Sequence, residues 1–122
     1  MDLGTPIVEA NMTLTSLTIG KDVSTFSCEG AAGKYGHAFV THPVRVSDED
    51  GKSYECEGFA RALMDDGTIV SGSLRGVGRR TEGRLKLFNL DNASNGDQNL
   101  SIWDIDVVNK SVSVTVYSIL KV

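Results

Sequence analysis

The chain is 122 residues long, carries a formal net charge of −4 and has 40% hydrophobic residues. That length suits a single domain, 1–122, around one core, and that composition excludes a disordered chain. The acidic balance, with a pI near 5.0, argues against nucleic acid as the main partner, because phosphate binding relies on clustered Lys and Arg.

Residues 6 to 19 open with Val8, Ala10, Met12 and Leu14 on one face, the two-residue period of a strand. The apolar parity then moves to Leu17 and Ile19, which predicts a β-bulge at Ser16, since one extra residue flips the facing of those that follow. After the Gly20-Lys21-Asp22 turn, residues 23 to 28 form a short second strand, and a flexible stretch from Gly30 to Gly33 follows. Residues 34 to 47 give a third strand. Pro43 has no N–H for a ladder, so it predicts an edge or a bulge there. The turn at 47 to 51 leads to a fourth strand at 52 to 64, preferred to a helix because Gly58 lies mid-run and turns bound both ends. Asp65-Asp66-Gly67 is a hairpin signal. The fifth strand, 68 to 76, is glycine-rich, which predicts a bend or close packing. Residues 84 to 90 are the sixth, and 91 to 97 read as a polar loop.

The last quarter, 98 to 122, reads as two strands joined at Asn109-Lys110. Val112, Val114 and Val116 share one face, with Ser111, Ser113 and Thr115 on the other, so one side is buried and one wet. The partner strand sets Trp103, Ile105 and Val107 against Leu100, Ile102, Asp104 and Asp106. After Val116 the alternation fades through Tyr117, Ile119 and Leu120, which predicts cover on both sides, including a subunit interface.

Eight strands with short turns and no convincing helix predict an all-β, antiparallel meander, since consecutive strands with short connections pair as neighbours. Closure into a small barrel removes exposed edges; a two-sheet sandwich is the alternative. The pattern resembles small lipocalin-like and cyclase-like barrels in architecture only. A barrel of eight strands is filled by side chains or holds one small ligand.

Several residues are candidates for a site. Tyr35, His37, Phe39 and Thr41 share the odd-numbered face of the third strand, an aromatic wall with one imidazole. His37 is the candidate catalytic acid or base, titrating near neutral pH; the alternative is a surface or packed histidine. His37 and His42 point to opposite faces, so a shared metal is not expected and no cofactor is implied. Asp104 and Asp106, two apart on a strand, form either a working carboxylate pair or an exposed acidic face. Arg61 and Arg75 are candidates to hold a ligand carboxylate, or else sit in internal ion pairs. Tyr54, Trp103 and Asp104 complete the candidate ligand set. The glycine-rich 72–78 segment fails as a phosphate loop because no Lys-Ser/Thr and no helix follow it.

With no basic start and apolar run at the N-terminus and no membrane-length segment, the expected location is cytoplasmic, with Cys28 and Cys56 as free thiols. The functional expectation is a barrel that binds a small, partly apolar molecule. The alternatives are a metal-independent acid-base enzyme of cyclase, isomerase or lyase type, and a homo-oligomeric interaction or structural module. No nucleic-acid or membrane partner is expected; a homo-oligomer, a dimer above all, is.

Overall fold

The computed structural model describes residues 3–120. It contains eight strands in chain order: β1 (Val8–Thr18), β2 (Val23–Ala31), β3 (His37–Val46), β4 (Ser53–Leu63), β5 (Ile69–Thr81), β6 (Arg84–Ala93), β7 (Gln98–Asp106) and β8 (Ser111–Leu120). A single 3-10 turn, Gly33–Tyr35, links β2 to β3. Each strand pairs antiparallel with the next, and β8 returns to β1 to close the barrel. Val8 pairs with Val116, and Met12 with Val112. The sandwich alternative is thereby excluded.

The alternation read from the sequence becomes an inside and an outside. Val8, Ala10, Met12 and Leu14 of β1 and Val112, Val114 and Val116 of β8 are buried in the interior. Burying valines on a pleated surface removes apolar area from water and leaves the serines and threonines of β8 on the outer side. The predicted bulge is present: Leu14 pairs with Cys28 but Ser16 pairs with Ser27, so Thr15 is the extra residue.

Two local features differ from the expectation. Pro43 lies within a closed barrel, so it is at no edge. It breaks the β3–β4 ladder without shifting it, because Thr41 pairs with Phe59 and Val44 with Cys56 in one continuous register. β5 runs to Thr81, past the predicted end at residue 76, so the β5–β6 turn is only Glu82-Gly83, both at positive φ, 51° and 81°. Two positive φ values in succession give the turn whose twist matches a hairpin.

The glycines of β5 answer to close packing. A Cβ at Gly76 would overlap the Phe88 carbonyl oxygen, whereas one at Gly72 would meet only the Ala60 methyl at 3.8 Å. In β4, a Cβ at Gly58 would press on the His42 ring at 2.8 Å. Glycine therefore makes room for an imidazole inside the barrel.

The interior is uneven along the axis. Leu87, Ile105, Val112, His42, Asn89 and Ser101 are almost fully buried and fill the waist. Towards the end where β1 begins and β8 finishes, the inward positions are small: Ala32, Ala38, Ala60, Ala62, Gly72 and Ala93. Small side chains there leave a cup. At the opposite end, Phe26, Tyr54, Val44 and Leu85 line a second hollow of about 290 Å³, rimmed by Lys21 and Arg80.

Candidate functional site

The cup is an apolar hollow of about 100 Å³ inside the barrel, walled by β1 and β3–β8 with Ala32 and Tyr35 of the β2–β3 connection. Its walls are Val, Ala, Met and Leu side chains, and Trp103 lies deepest on β7. Four polar residues line it: Ser71 of β5, Asp91 of β6, Asn99 of β7 and Tyr35 of the β2–β3 connection.

Asp91 is held by a short relay. The Trp103 indole Nε1 donates to Ser101 Oγ at 2.8 Å, and Ser101 Oγ donates to Asp91 Oδ1 at 2.9 Å. Ser101 and Trp103 both face inward because β7 alternates Asn99, Ser101, Trp103 on its buried side. Burial pushes the Asp91 carboxyl up to about 7, with the Ser101 hydrogen bond opposing in part. A carboxyl in apolar surroundings resists ionisation because the charged form loses its water. Asp91 thus gains or loses a proton near neutrality, the range in which a general acid or base works.

Tyr35 closes the rim. Its hydroxyl donates to Asp97 Oδ2 at 2.7 Å and accepts from Asn99 Nδ2 at 3.0 Å. Burial, then the Asp97 hydrogen bond, pushes the phenol up to about 12, so it keeps its proton. Asp97 also accepts from Lys34 Nζ at 3.1 Å, and the Tyr35 and Lys34 bonds hold its carboxyl below the ordinary range. Since the Tyr35 proton goes to Asp97, the Asn99 amide must present its NH2 to Tyr35. That leaves Asn99 Oδ1, on a side chain only 4% exposed, without a hydrogen-bond partner among the described residues.

Beneath the cup lies a second polar chain. Cys56 Sγ donates to Asn89 Oδ1 at 3.0 Å, and Asn89 Nδ2 donates to His42 Nε2 at 2.9 Å. The His42 ring meets Trp103 edge-on, centroids 4.7 Å apart. With the thiol donating to the amide oxygen, His42 Nε2 is left as an acceptor and the imidazole is neutral. Burial lowers His42 to about 4. Burial likewise raises Cys56 to about 11 and Cys28 to about 12, so both free thiols stay protonated.

The residues singled out from the sequence are dispersed. Tyr35 and Trp103 line the cup. His37 and Phe39 project from the outer face of β3, half-exposed, with His37 Nε2 3.5 Å from Glu29 Oε2 and its ring against Phe39. The odd-numbered face of β3 therefore faces out, because the even-numbered Ala38, Val40, His42 and Val44 carry the buried side. Arg61 lies outside and donates to the Ala60 carbonyl oxygen. Arg75 lies outside with Glu57 at 3.3 Å. Asp104 and Asp106 are both bound by one guanidinium, that of Arg84, on the outer surface. Tyr54 lines the opposite hollow and donates to the Gly51 carbonyl oxygen at 3.0 Å. Among the described residues no three His, Cys, Asp or Glu side chains converge as metal ligands.

Sequence reading passes over Asp91, Asn99 and Ser101. Asp91 falls in the segment read as a loop, whereas β6 runs on to Ala93. The parity of Leu85 and Leu87, carried four residues further, places Asn89 and Asp91 on the same inward face. The parity of Trp103 and Ile105, carried backwards, does the same for Ser101 and Asn99. Compared with models of protein families, with curated proteins and with solved structures, the chain matches none.

Proposed function

We propose that this barrel binds a small, mainly apolar molecule in the cup. The observation that carries the reading is the hollow itself, where Ala and Gly stand at inward positions that larger side chains fill at the waist. Concave, largely apolar sites with a few polar groups are where small molecules bind, and the mouth of a β-barrel is one such place. At about 100 Å³ the hollow is smaller than the roughly 150 Å³ apolar cavity that admits benzene, so it suits a short branched chain or one ring that extends into the open mouth.

Trp103, the sole tryptophan, lines the hollow and reports its occupancy. Titration with benzyl alcohol is expected to change Trp103 emission saturably. The Ala62→Phe variant, which fills the cup, is expected to lose that response while keeping its far-ultraviolet circular dichroism. An unchanged emission in the wild type, or an equal response in the filled variant, would refute the reading.

A second reading, self-association, is favoured by the outer face of β5–β8. Val77, Phe88 and Ile102 lie in one cross-strand row, and Leu90, Leu100 and Tyr117 in the adjacent one. Val77 and Leu90 are 59% and 62% exposed. Contiguous apolar surface of this kind marks interaction sites. The patch is flanked by the Arg75–Glu57 and Arg84–Asp104 ion pairs, so a second copy placed on it by a two-fold axis meets charge of both signs. Sedimentation of the wild type and of Leu90→Lys separates dimer from monomer; two monomeric results would end this reading.

A further inference from the structure

The polar end of the cup has an unusual sign. The Tyr35 hydroxyl is used both as donor and as acceptor, and the Ser101 hydroxyl likewise. Asn99 Nδ2 is used by Tyr35. Within the bonded set of Tyr35, Asn99, Ser101 and ionised Asp91, what remains unused is Asn99 Oδ1 and the Asp91 oxygen that does not receive Ser101. Both are acceptors. Asp91 and Asn99 are direct partners across the β6–β7 ladder, so their side chains stand side by side on the inner face, with Cα atoms about 5 Å apart.

Among the described residues no cation is bonded to this pair. The titratable groups around it are Tyr35 and Cys56, both neutral, and Asp97, an anion at the rim. Lys34 at the rim is already bound to Asp97. A carboxylate ligand would therefore meet acceptors and negative charge. A hydroxyl carries one donor hydrogen and satisfies one of the two oxygens. An ammonium carries three and a positive charge, and it offers a part-buried carboxylate a charged partner.

We propose, resting on the cup being a ligand site, that its ligand is a small apolar primary amine, bound as the ammonium by Asp91 and Asn99. The hydrocarbon part lies against the Ala and Val walls and Trp103. The ammonium donates to Asn99 Oδ1 and to the ionised Asp91 carboxylate, while Ser101 and Tyr35 hold the two acceptors in place from behind.

The test uses three probes of one carbon skeleton: benzylamine, benzyl alcohol and benzoate, titrated against the wild type and Asp91→Asn from pH 5 to pH 8. Benzylamine is expected to bind at least about tenfold more tightly than benzyl alcohol at pH 8, as a charge-assisted bond to a partly buried partner requires. Benzoate is expected not to bind. Benzylamine affinity is expected to fall about a hundredfold from pH 8 to pH 5, because the carboxylate it needs, titrating at about 7, is consumed by protons. Asp91→Asn is expected to abolish both the preference and the pH dependence. The wild-type pH profile stands by itself if that variant does not fold. If benzyl alcohol binds as well as the amine, or the amine affinity is flat with pH, amine selection is overturned and the cup remains a ligand site. If no probe binds, both readings fall together.

Discussion

A buried imidazole and a part-buried carboxyl titrate in opposite senses inside this barrel, and their opposition makes a measurable stability profile. His42 has its folded value lowered to about 4 from an ordinary 6.5. Between those values the unfolded chain binds the proton and the folded chain does not, so His42 adds stability as the pH rises from 4 to 6.5. At 1.36 kcal/mol per pH unit the gain is about 3 kcal/mol. Asp91 has its folded value raised to about 7 from an ordinary 3.8. There the folded chain holds the proton and the unfolded chain has lost it, so stability falls as the pH rises from 4 to 7. The loss is about 4 kcal/mol on the same scale. The surface carboxylates held low, among them Asp66, Asp97 and Asp106, lose their contribution only as the pH drops through values below 3.8. The wild type is therefore expected to show a nearly level stability from pH 4 to 6.5. In Asp91→Asn the His42 slope stands alone, and stability is expected to rise by about 3 kcal/mol across that window. Ser101 keeps an acceptor in the amide oxygen, so the fold is retained. In His42→Gln the Asp91 slope stands alone, and stability is expected to fall from pH 4 to 7. Urea unfolding at half-unit pH steps, extrapolated linearly to water, gives each profile. Parallel profiles in the wild type and both variants would refute the assignment of these two groups.

The remaining expectations concern packing and reactivity. Gly76→Ala forces a methyl against the Phe88 carbonyl oxygen and is expected to cost more than about 2 kcal/mol, whereas Gly72→Ala, with only Ala60 at 3.8 Å, costs under about 1 kcal/mol; equal values from urea melts would contradict the β5–β6 approach. Leu87→Ala removes a side chain with no exposure and is expected to cost about 3 kcal/mol, read as a lowered urea midpoint. Cys28 and Cys56, pushed up to about 12 and about 11 by burial, are expected to resist a disulfide reagent at pH 8 until the chain unfolds; labelling within the mixing time would show the thiols to be accessible.

The barrel is legible in the chain because closure by eight strands needs only period-two alternation and turns, and both are written plainly. Val112, Val114 and Val116 name their buried side without help, and Leu14 followed by Leu17 marks a bulge read at Ser16, one residue from the extra Thr15. What is not legible is which side is inner when both carry apolar groups. On β3, Phe39 competes with Val40, and aromatic weight favours the wrong side. The choice is made by the neighbours: Cys28 on β2, and Ala60 and Gly58 on β4, leave space on the even side that β3 must fill. The polar centre is hidden for a related reason. Asp91 lies among Asn, Ser and Gly, a composition that signals a loop, yet the ladder to Asn99 and Gln98 extends the strand through it. Local composition and long-range pairing disagree there, and pairing wins.

The ladder between β1 and β8 has a consequence for how the molecule is made. Every other pairing joins consecutive strands through a short turn and can zip up early. The contact of Val8 with Val116 spans roughly a hundred residues and carries the largest entropic cost of loop closure. Ring completion is then the late event, and before it the first and last strands each offer a bare row of amides and carbonyls to any passing chain. The architecture that has no edge when finished is at its most adhesive one step earlier, so mutations along that seam act on aggregation before they act on the native state.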